Sequence, residues 1–493
     1  MFASLLVQAI SFPAWPSSYT IIGTWKVPYT NLSNPITVVH SPGRQYQNQL
    51  NGVEQIWRSG PEERIHRKIV GTGNGTICYG IPDDQPFDVE ITQFLPDPEG
   101  FKLLDGEYTY HGKVCDIWEK VVDGNKTQTY RMYIDKQGNP VAYVSKAISI
   151  FHSHYDVYIL EIDTFIRDVL PGYWNIPAIC NNPLPDPYPG DQMGFFFPKS
   201  HSHKNVQKNV RARLASGEQT NGRFAHLDKS EFMKHVEMQR KARNDRLKRR
   251  GDSQYCPTWK GTGKELPRTF SWRNNTQVVG KPRDQVACGS CWAFGTAEVL
   301  EGAFGIASKE FHEVSTNQIM DCTFGWGDNN YGCQGGEVDI ALDALKNKKI
   351  KIAKESDYPY LGASSQFCDN NKDDYLGTVT GCYKIEQRTR SVMEAIYTFG
   401  PLGIAINVIE PMMLYTNGVI DDETCTGAQS DLVHAVLLTG WAEIDGKLAW
   451  EVKNSWSTYW GWDGYIYIQM EDQTKNCGVT TDAVAAVVSL KQN

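Results

Sequence analysis

One cysteine stands apart in the stretch QVACGSCWAF at residues 285–294. Cys291 follows Gly289-Ser290 and precedes WAFGTAEVLEGAFG, whose composition suits a helix beginning at that point. A helix N-terminus offers unpaired N–H donors and the positive end of the macrodipole. Both favour thiolate over thiol, the form a nucleophilic sulfur needs. Gln285, six residues earlier, is placed to reach back with its side-chain amide as an oxyanion donor. A thiolate needs a base, and the base needs an orienter. The run SDLVHAVLLTGW sets His434 at the head of an apolar, β-type segment, and WEVKNSWSTYWGWDGYIYI gives Asn454 followed by a dense aromatic cluster. A strand bearing His beside a strand ending in Asn stacks the two in one cleft, Asn454 accepting the imidazole N–H and Trp456 covering that bond against water. Taken singly, a cysteine is usually structural, an intrastrand histidine usually core, and Asn-Ser-Trp usually a turn. Their joint occurrence in this order points to acyl transfer through a thiolate–imidazolium pair.

The elements around these residues divide the chain. At 493 residues and 55.6 kDa it is long enough for several domains. With 41% apolar and 22% charged residues, wholesale disorder is excluded. A mean hydropathy of −0.44 and the lack of a long apolar run argue against a membrane span. Aromatic residues reach 12%, which favours β-rich or cleft-rich architecture. Residues 1–18 begin with an apolar stretch compatible with a signal peptide. Four Asn-x-Ser/Thr sequons follow, at Asn31, Asn74, Asn125 and Asn274. Together with 12 cysteines, these features favour the secretory route, lysosomal or extracellular.

Residues 19–180 read as strands punctuated by turns, an antiparallel sheet curved so that one face is covered. No nucleophile–base pair stands out there; His111, His152 and His154 read as packing or surface residues. Residues 181–198 are a proline-rich linker. Residues 199–255 form a basic segment: from Lys199 to Arg250 there are 15 basic and 5 acidic residues, a balance of +10. The whole chain carries −8, so the remainder is −18. Few aromatics accompany the basic run, so nucleic acid is not the expected partner. An Asp228…Glu231 pair reads as a helix start, and the charged stretch to Arg250 as helix. The expectation is a segment held on acidic surface until bonds near Lys248-Arg249-Arg250 are cut. Residues 256–493 complete the chain.

From Leu266 onward the chain resembles the papain/cathepsin family of cysteine proteases. CGSCW, LPRTFSW, MDCTFGWGDNNYGCQGGEVDIAL, YPY, GPLGIAI and KNSWSTYWGWDGYI match that family in order. The resemblance implies an α+β fold: a papain-like two-lobed domain, helical left lobe and β-barrel right lobe, preceded here by the curved-sheet domain. It implies a cysteine-type endopeptidase, made as a zymogen, with Cys291 as nucleophile, His434 as general acid/base, Asn454 as orienter and Gln285 as oxyanion donor. No cofactor or metal is implied. Gly335 and Gly336 would form the backbone-binding ledge for peptide substrates. Val338, Ala405, Ala435 and Asp482 would line the main side-chain pocket, and an acid on its floor would favour Arg or Lys two residues before the cut. The implied disulfides are Cys288–Cys333, Cys322–Cys368 and Cys425–Cys477. Ser271 stands where Asp is usual, Val433 precedes the histidine, and Ser457 replaces the usual Gly.

Cys78–Cys115 is a plausible pair within the first domain. Cys180, Cys256 and Cys382 then remain, and a Cys256–Cys382 bond would tether the start of the mature domain. The basic segment resembles the tail of a papain-type propeptide, which implies an inhibitory partner within the chain. The N-terminal region resembles the ependymin-type part of lipoprotein-carrier-like folds, which implies room for a lipid or another apolar ligand. The order of the parts resembles the invertebrate two-chain proteinases of 26/29 kDa type, which implies processing into two chains with the N-terminal domain retained. The alternative is a binding or adhesion protein whose protease half is vestigial. The presence of both Cys291 and His434 argues against it.

Overall fold

A computed structural model of the chain describes residues 12–185, 229–250 and 255–491, apart from short internal stretches. The first eleven residues, the linker beyond Pro185 and the basic segment up to residue 228 lie outside the described residues. So do His152, His154 and the sequon asparagines Asn74 and Asn125.

The N-terminal part is one sheet of thirteen strands, whose first strand, Tyr19–Val27, lies in its middle. On one side the strands from Leu32–Ser41 to Ile77–Gly80 follow in chain order; on the other, Tyr155–Ile166 begins a return to Lys113–Val122 in reverse order. Among the described residues every pairing of this sheet is antiparallel except that of the two-residue strand Leu184–Pro185 with Ile77–Gly80. The register slips between Ile22 and Gly23, where the chain closes against Tyr155–Ile166. A Cβ on Gly23 would come within 1.9 Å of the Glu161 carbonyl oxygen, so only glycine permits this approach. Alternation along the strands buries Tyr19, Ile21, Trp118, Tyr130 and Tyr143 together, and Phe94 from a connecting segment joins them in one largely aromatic core.

The disulfide of this domain differs from the expected pair. Cys78 bonds Cys180, and Cys115 is a buried free thiol. Cys115 lies on the strand Lys113–Val122, at the other end of the sheet order from the Ile77–Gly80 strand that carries Cys78. The short helix Ala178–Asn181 instead brings Cys180 back to that strand.

Next comes helix α1 (Lys229–Arg250). Phe232, Val236, Arg243 and Arg246 are its buried residues, spaced at helical intervals on one stripe. The first two enter an apolar core of the C-terminal part; the last two are cations, and what receives them belongs to the site below.

The C-terminal part has helices α2 (Cys291–Ser308), α3 (Thr316–Cys322), α4 (Val338–Asn347) and α5 (Thr389–Phe399), and a nine-stranded sheet. Its central strands are Val484–Leu490, Leu402–Ile406, His434–Ile444 and Lys447–Lys453. Two cores divide it. One gathers Trp292, Phe304, Leu342 and Leu345 of α2 and α4; the other gathers Ile404, Trp441, Trp450 and Ile466 of the sheet. Disulfides join Cys288 to Cys333, Cys322 to Cys368, Cys425 to Cys477 and Cys256 to Cys382. The two halves of the chain touch through the first hairpin: Asn34 donates to the Leu361 carbonyl at 2.8 Å, and Tyr29 meets Ser457.

Candidate active site

Cys291 is the first residue of α2, and no side chain caps that helix start. The Ser290 hydroxyl, which could have capped it, is engaged by the Tyr360 hydroxyl at 2.7 Å. The positive helix end is therefore left to act on the residue at its head. His434 opens the strand His434–Ile444, and Asn454 follows the strand Lys447–Lys453 beside it. His434 Nε2 lies 2.8 Å from Asn454 Oδ1, which also accepts the Ser455 backbone N–H at 2.8 Å. An amide oxygen only accepts, so Nε2 carries the hydrogen and Nδ1 is left for the thiol side. Trp456 stacks on the imidazole, ring centroids 4.7 Å apart and planes 24° apart, and is itself buried.

Gln285 is held from three sides. Its backbone N–H donates to the Ser455 carbonyl at 3.0 Å, its side-chain carbonyl accepts the Ser455 hydroxyl at 2.8 Å, and its amide donates to the Cys288 carbonyl at 2.8 Å. The side chain is thus fixed on the loop that leads into Cys291. Gly336 sits where a Cβ would press Trp292 at 2.6 Å; Gly335 has a φ of 102°, and a Cβ there would meet the Arg246 guanidinium at 2.6 Å. A single pocket is lined by Cys291, His434, Gly335, Gly336, Val338, Ala405, Ala435 and Asp482, which stand far apart in the chain. Gln285, Asn454 and Trp456 are not among its lining residues; the latter two reach it through His434.

Helix α1 closes one side of that pocket. Gln239, Ala242, Arg243 and Arg246 form one of its walls, and Arg246 donates to the Gln334 carbonyl at 3.1 Å, over the glycine ledge. Burial pushes the Cys291 thiol above its ordinary range, while the Ala435 backbone N–H beside it pulls the other way. Asp482 sits on the pocket wall. Burial would raise its carboxyl, but Lys384 and Arg243 outweigh burial and hold it at about 2. The residue missed in the sequence is Glu337, whose carboxylate takes Arg243 in two bonds, at 2.9 and 2.8 Å. Its position directly after Gly335-Gly336 was the available signal. Among the described residues no group of three or more His, Cys, Asp and Glu side chains could hold a metal ion.

The model of the papain family of cysteine proteases matches residues 266–487. Human cathepsin O is 33% identical over 225 residues, which cover 45% of this chain and 66% of its own length. Mouse pro-cathepsin H is 35% identical over 226 residues, 45% of this chain and 66% of its own. A cathepsin L-like proteinase of Fasciola hepatica is 32% identical over 232 residues, 47% of this chain and 68% of its own. Among solved structures, digestive procathepsin L 3 from the larval midgut of Tenebrio molitor aligns with a TM-score of 0.47 and 28% identity, covering 58% of this chain and 90% of that one. The chain belongs to the papain family of cysteine proteases. It spans just under two thirds of the length of human cathepsin O and mouse pro-cathepsin H.

Proposed function

We propose that this chain is a papain-type cysteine endopeptidase made as a zymogen. The observation that carries the reading is Cys291 at an uncapped helix start, sharing a pocket with a histidine whose far nitrogen is held by Asn454. Cys291 gives its proton to His434, and the thiolate attacks a peptide carbonyl. The oxyanion is met by the Cys291 backbone N–H and the Gln285 amide. His434 protonates the leaving amine, the thioester forms, and His434 then draws a proton from water to release the acyl group. Asn454 keeps the imidazole in the productive tautomer throughout. The peptide backbone lies on Gly335-Gly336, and Val338, Ala405, Ala435 and Asp482 receive the side chain two residues before the cut.

Helix α1 is the inhibitor in this reading. Its place over Cys291 and the ledge, and the raised thiol beneath it, support that role. Cutting near Lys248–Arg250 frees the C-terminal chain, and the hairpin contacts of Tyr29 and Asn34 keep the N-terminal domain attached as a second chain. The exposed sequon residues Asn31 and Asn274 suit a glycoprotein of the secretory pathway, lysosomal or extracellular. A thiol-directed epoxide tests the catalytic assignment. It should label Cys291 once α1 is removed, and Cys291→Ala should lose both labelling and peptide hydrolysis. Peptide cleavage by purified Cys291→Ala overturns the reading.

A further inference from the structure

Arg243 is the best-satisfied side chain of the pocket. Its guanidinium bonds both Glu337 oxygens, Asp482 Oδ2 at 3.1 Å, and the backbone carbonyls of Gln429 and Leu432 at 2.9 and 3.2 Å. The side chains of Arg243, Glu337 and Asp482 are 5%, 6% and 9% exposed. Around them the fixed charges are Glu337, Asp482 and Asp339 against Lys384, which bonds Asp482 at 2.9 Å and lies 3.3 Å from Asp339. With Arg243 present the group carries −1; when α1 leaves, it carries −2. A buried surplus of negative charge is costly and draws a cation.

We propose that, once α1 is gone, the walls formed by Glu337 and Asp482 select an arginine side chain of the peptide substrate, with Glu337 as the specificity-determining residue. This rests on the peptidase reading above and deepens it. The two acids are not equivalent. Asp482 keeps Lys384 and the Gln429 amide, at 2.9 and 3.0 Å, after Arg243 departs. Among the described residues, the Glu337 carboxylate is bonded by Arg243 alone, so the deficit falls on Glu337. Two parallel N–H···O bonds to one carboxylate, with further N–H groups on two carbonyls, match the guanidinium fork; a lysine ammonium fits that geometry poorly. Arg243 imitates only the side chain of such a substrate. Its backbone is tied into helix, so no extended peptide bond is laid on the glycine ledge to be cut.

The experiment compares peptides bearing Arg, citrulline, Lys or Leu two residues before the cleaved bond. The enzyme has α1 removed by acid incubation or limited trypsin, and active sites are counted by epoxide labelling. The expected kcat/KM for Arg exceeds that for citrulline, its neutral isostere, by tenfold or more, with Lys and Leu below Arg. Glu337→Gln should reduce the Arg/citrulline ratio by about tenfold, and Asp482→Asn by less. Labelled enzyme that cuts the citrulline or Leu peptide as fast as the Arg peptide overturns the proposal, and a ratio unchanged in Glu337→Gln overturns the role of Glu337. An enzyme that neither labels nor cleaves any of the four peptides overturns the peptidase reading instead. The wild-type Arg/citrulline ratio decides the arginine preference even if the variants fail to fold, and Glu337→Asp, which keeps the carboxylate, then tests the role of Glu337 by a reduced ratio.

Discussion

The Ser457 hydroxyl lies 2.9 Å from the Tyr29 hydroxyl, joining the loop behind the His434–Asn454 pair to the first hairpin of the N-terminal sheet. Ser457 has a φ of 72°, the left-handed region where a side chain costs about 1–2 kcal/mol and glycine is at ease. The papain-family pattern has glycine here. Serine is the strained choice, and what it gains is a partner in the other domain. Its bond contributes about 0.5–1.5 kcal/mol, the same order as the strain.

A double-mutant cycle follows from that balance. In the full chain Ser457→Gly should change unfolding stability by less than about 1 kcal/mol, since strain relief and the lost bond offset each other. In a Tyr29→Phe background the same change should be more favourable by about 0.5–1.5 kcal/mol than in the full chain, because the Ser457 hydroxyl then keeps only the Tyr459 backbone N–H, at 3.2 Å. Urea unfolding of the four proteins measures the coupling. Equal effects of Ser457→Gly in both backgrounds would mean that the hydroxyl pair contributes nothing.

Thiol counting checks the altered pairing in the N-terminal sheet. Denatured but unreduced protein should offer two thiols to an alkylating agent, Cys115 and Cys291. A peptide digest should contain Cys78 linked to Cys180. The sequence separation is 102 residues, so Cys180→Ser should cost about 4–5 kcal/mol of stability by chain entropy. Alkylated Cys180 in the unreduced digest would sink the pairing.

The chemistry-bearing residues were legible because each sits at a local boundary that composition marks. Helix α2 begins at Cys291, where Gly-Ser gives way to a helix-forming run, and a strand begins at His434, the one polar residue within the apolar run LVHAVLL. The Cys78 partner was not legible, because it depends on how a sheet of thirteen strands is ordered. With the first strand in the middle, residues near in sequence become distant, and the chain beyond Tyr155–Ile166 returns to the far edge. Glu337 was not legible for a similar reason. Its role shows only when Arg243, 94 residues earlier, arrives on a separate helix. The excess of positive charge in that segment pointed to acidic surface but not to a particular carboxylate.

Beneath the site, Lys453 Nζ lies 2.9 Å from Glu298 Oε1, with the two side chains 1% and 2% exposed. Lys453 precedes Asn454, and Glu298 lies two turns along α2 from Cys291, so the pair ties the supports of both groups together. Lys453→Met should destabilise by about 3–5 kcal/mol, because it leaves a buried carboxylate without this cation. Burial already raises the Glu298 carboxyl despite Lys453 and Arg283. A raised folded-state carboxyl favours the protonated form, so the Lys453→Met deficit should shrink as pH falls toward the ordinary carboxylate range. Urea unfolding at neutral and mildly acid pH measures this. A deficit that grows on acidification would contradict the account.

Acid should loosen α1. Asp482, held at about 2 beside Arg243 and Lys384, has its folded-state carboxyl depressed. A depressed carboxylate supports docking at pH above its ordinary value, about 4, and that support is lost as pH falls from there toward 2. The dependence is at most tenfold per pH unit for one such group, and it is less here because Lys384 stays with Asp482 after α1 departs. Glu337 and Asp339 face the same guanidinium. In a Cys291→Ala chain, which should remain uncut, amide exchange along Lys229–Arg250 reports opening directly. Protection, corrected for intrinsic exchange, should hold near neutrality and fall between pH 4 and 3, while α2 stays protected. Asp482→Asn should weaken protection at neutral pH and flatten its fall, since one of the titrating groups is gone. Protection of α1 that persists undiminished to pH 3 would place the hold on Phe232 and Val236, the apolar end of the stripe, and would remove acid release through the Arg243 cluster as the trigger.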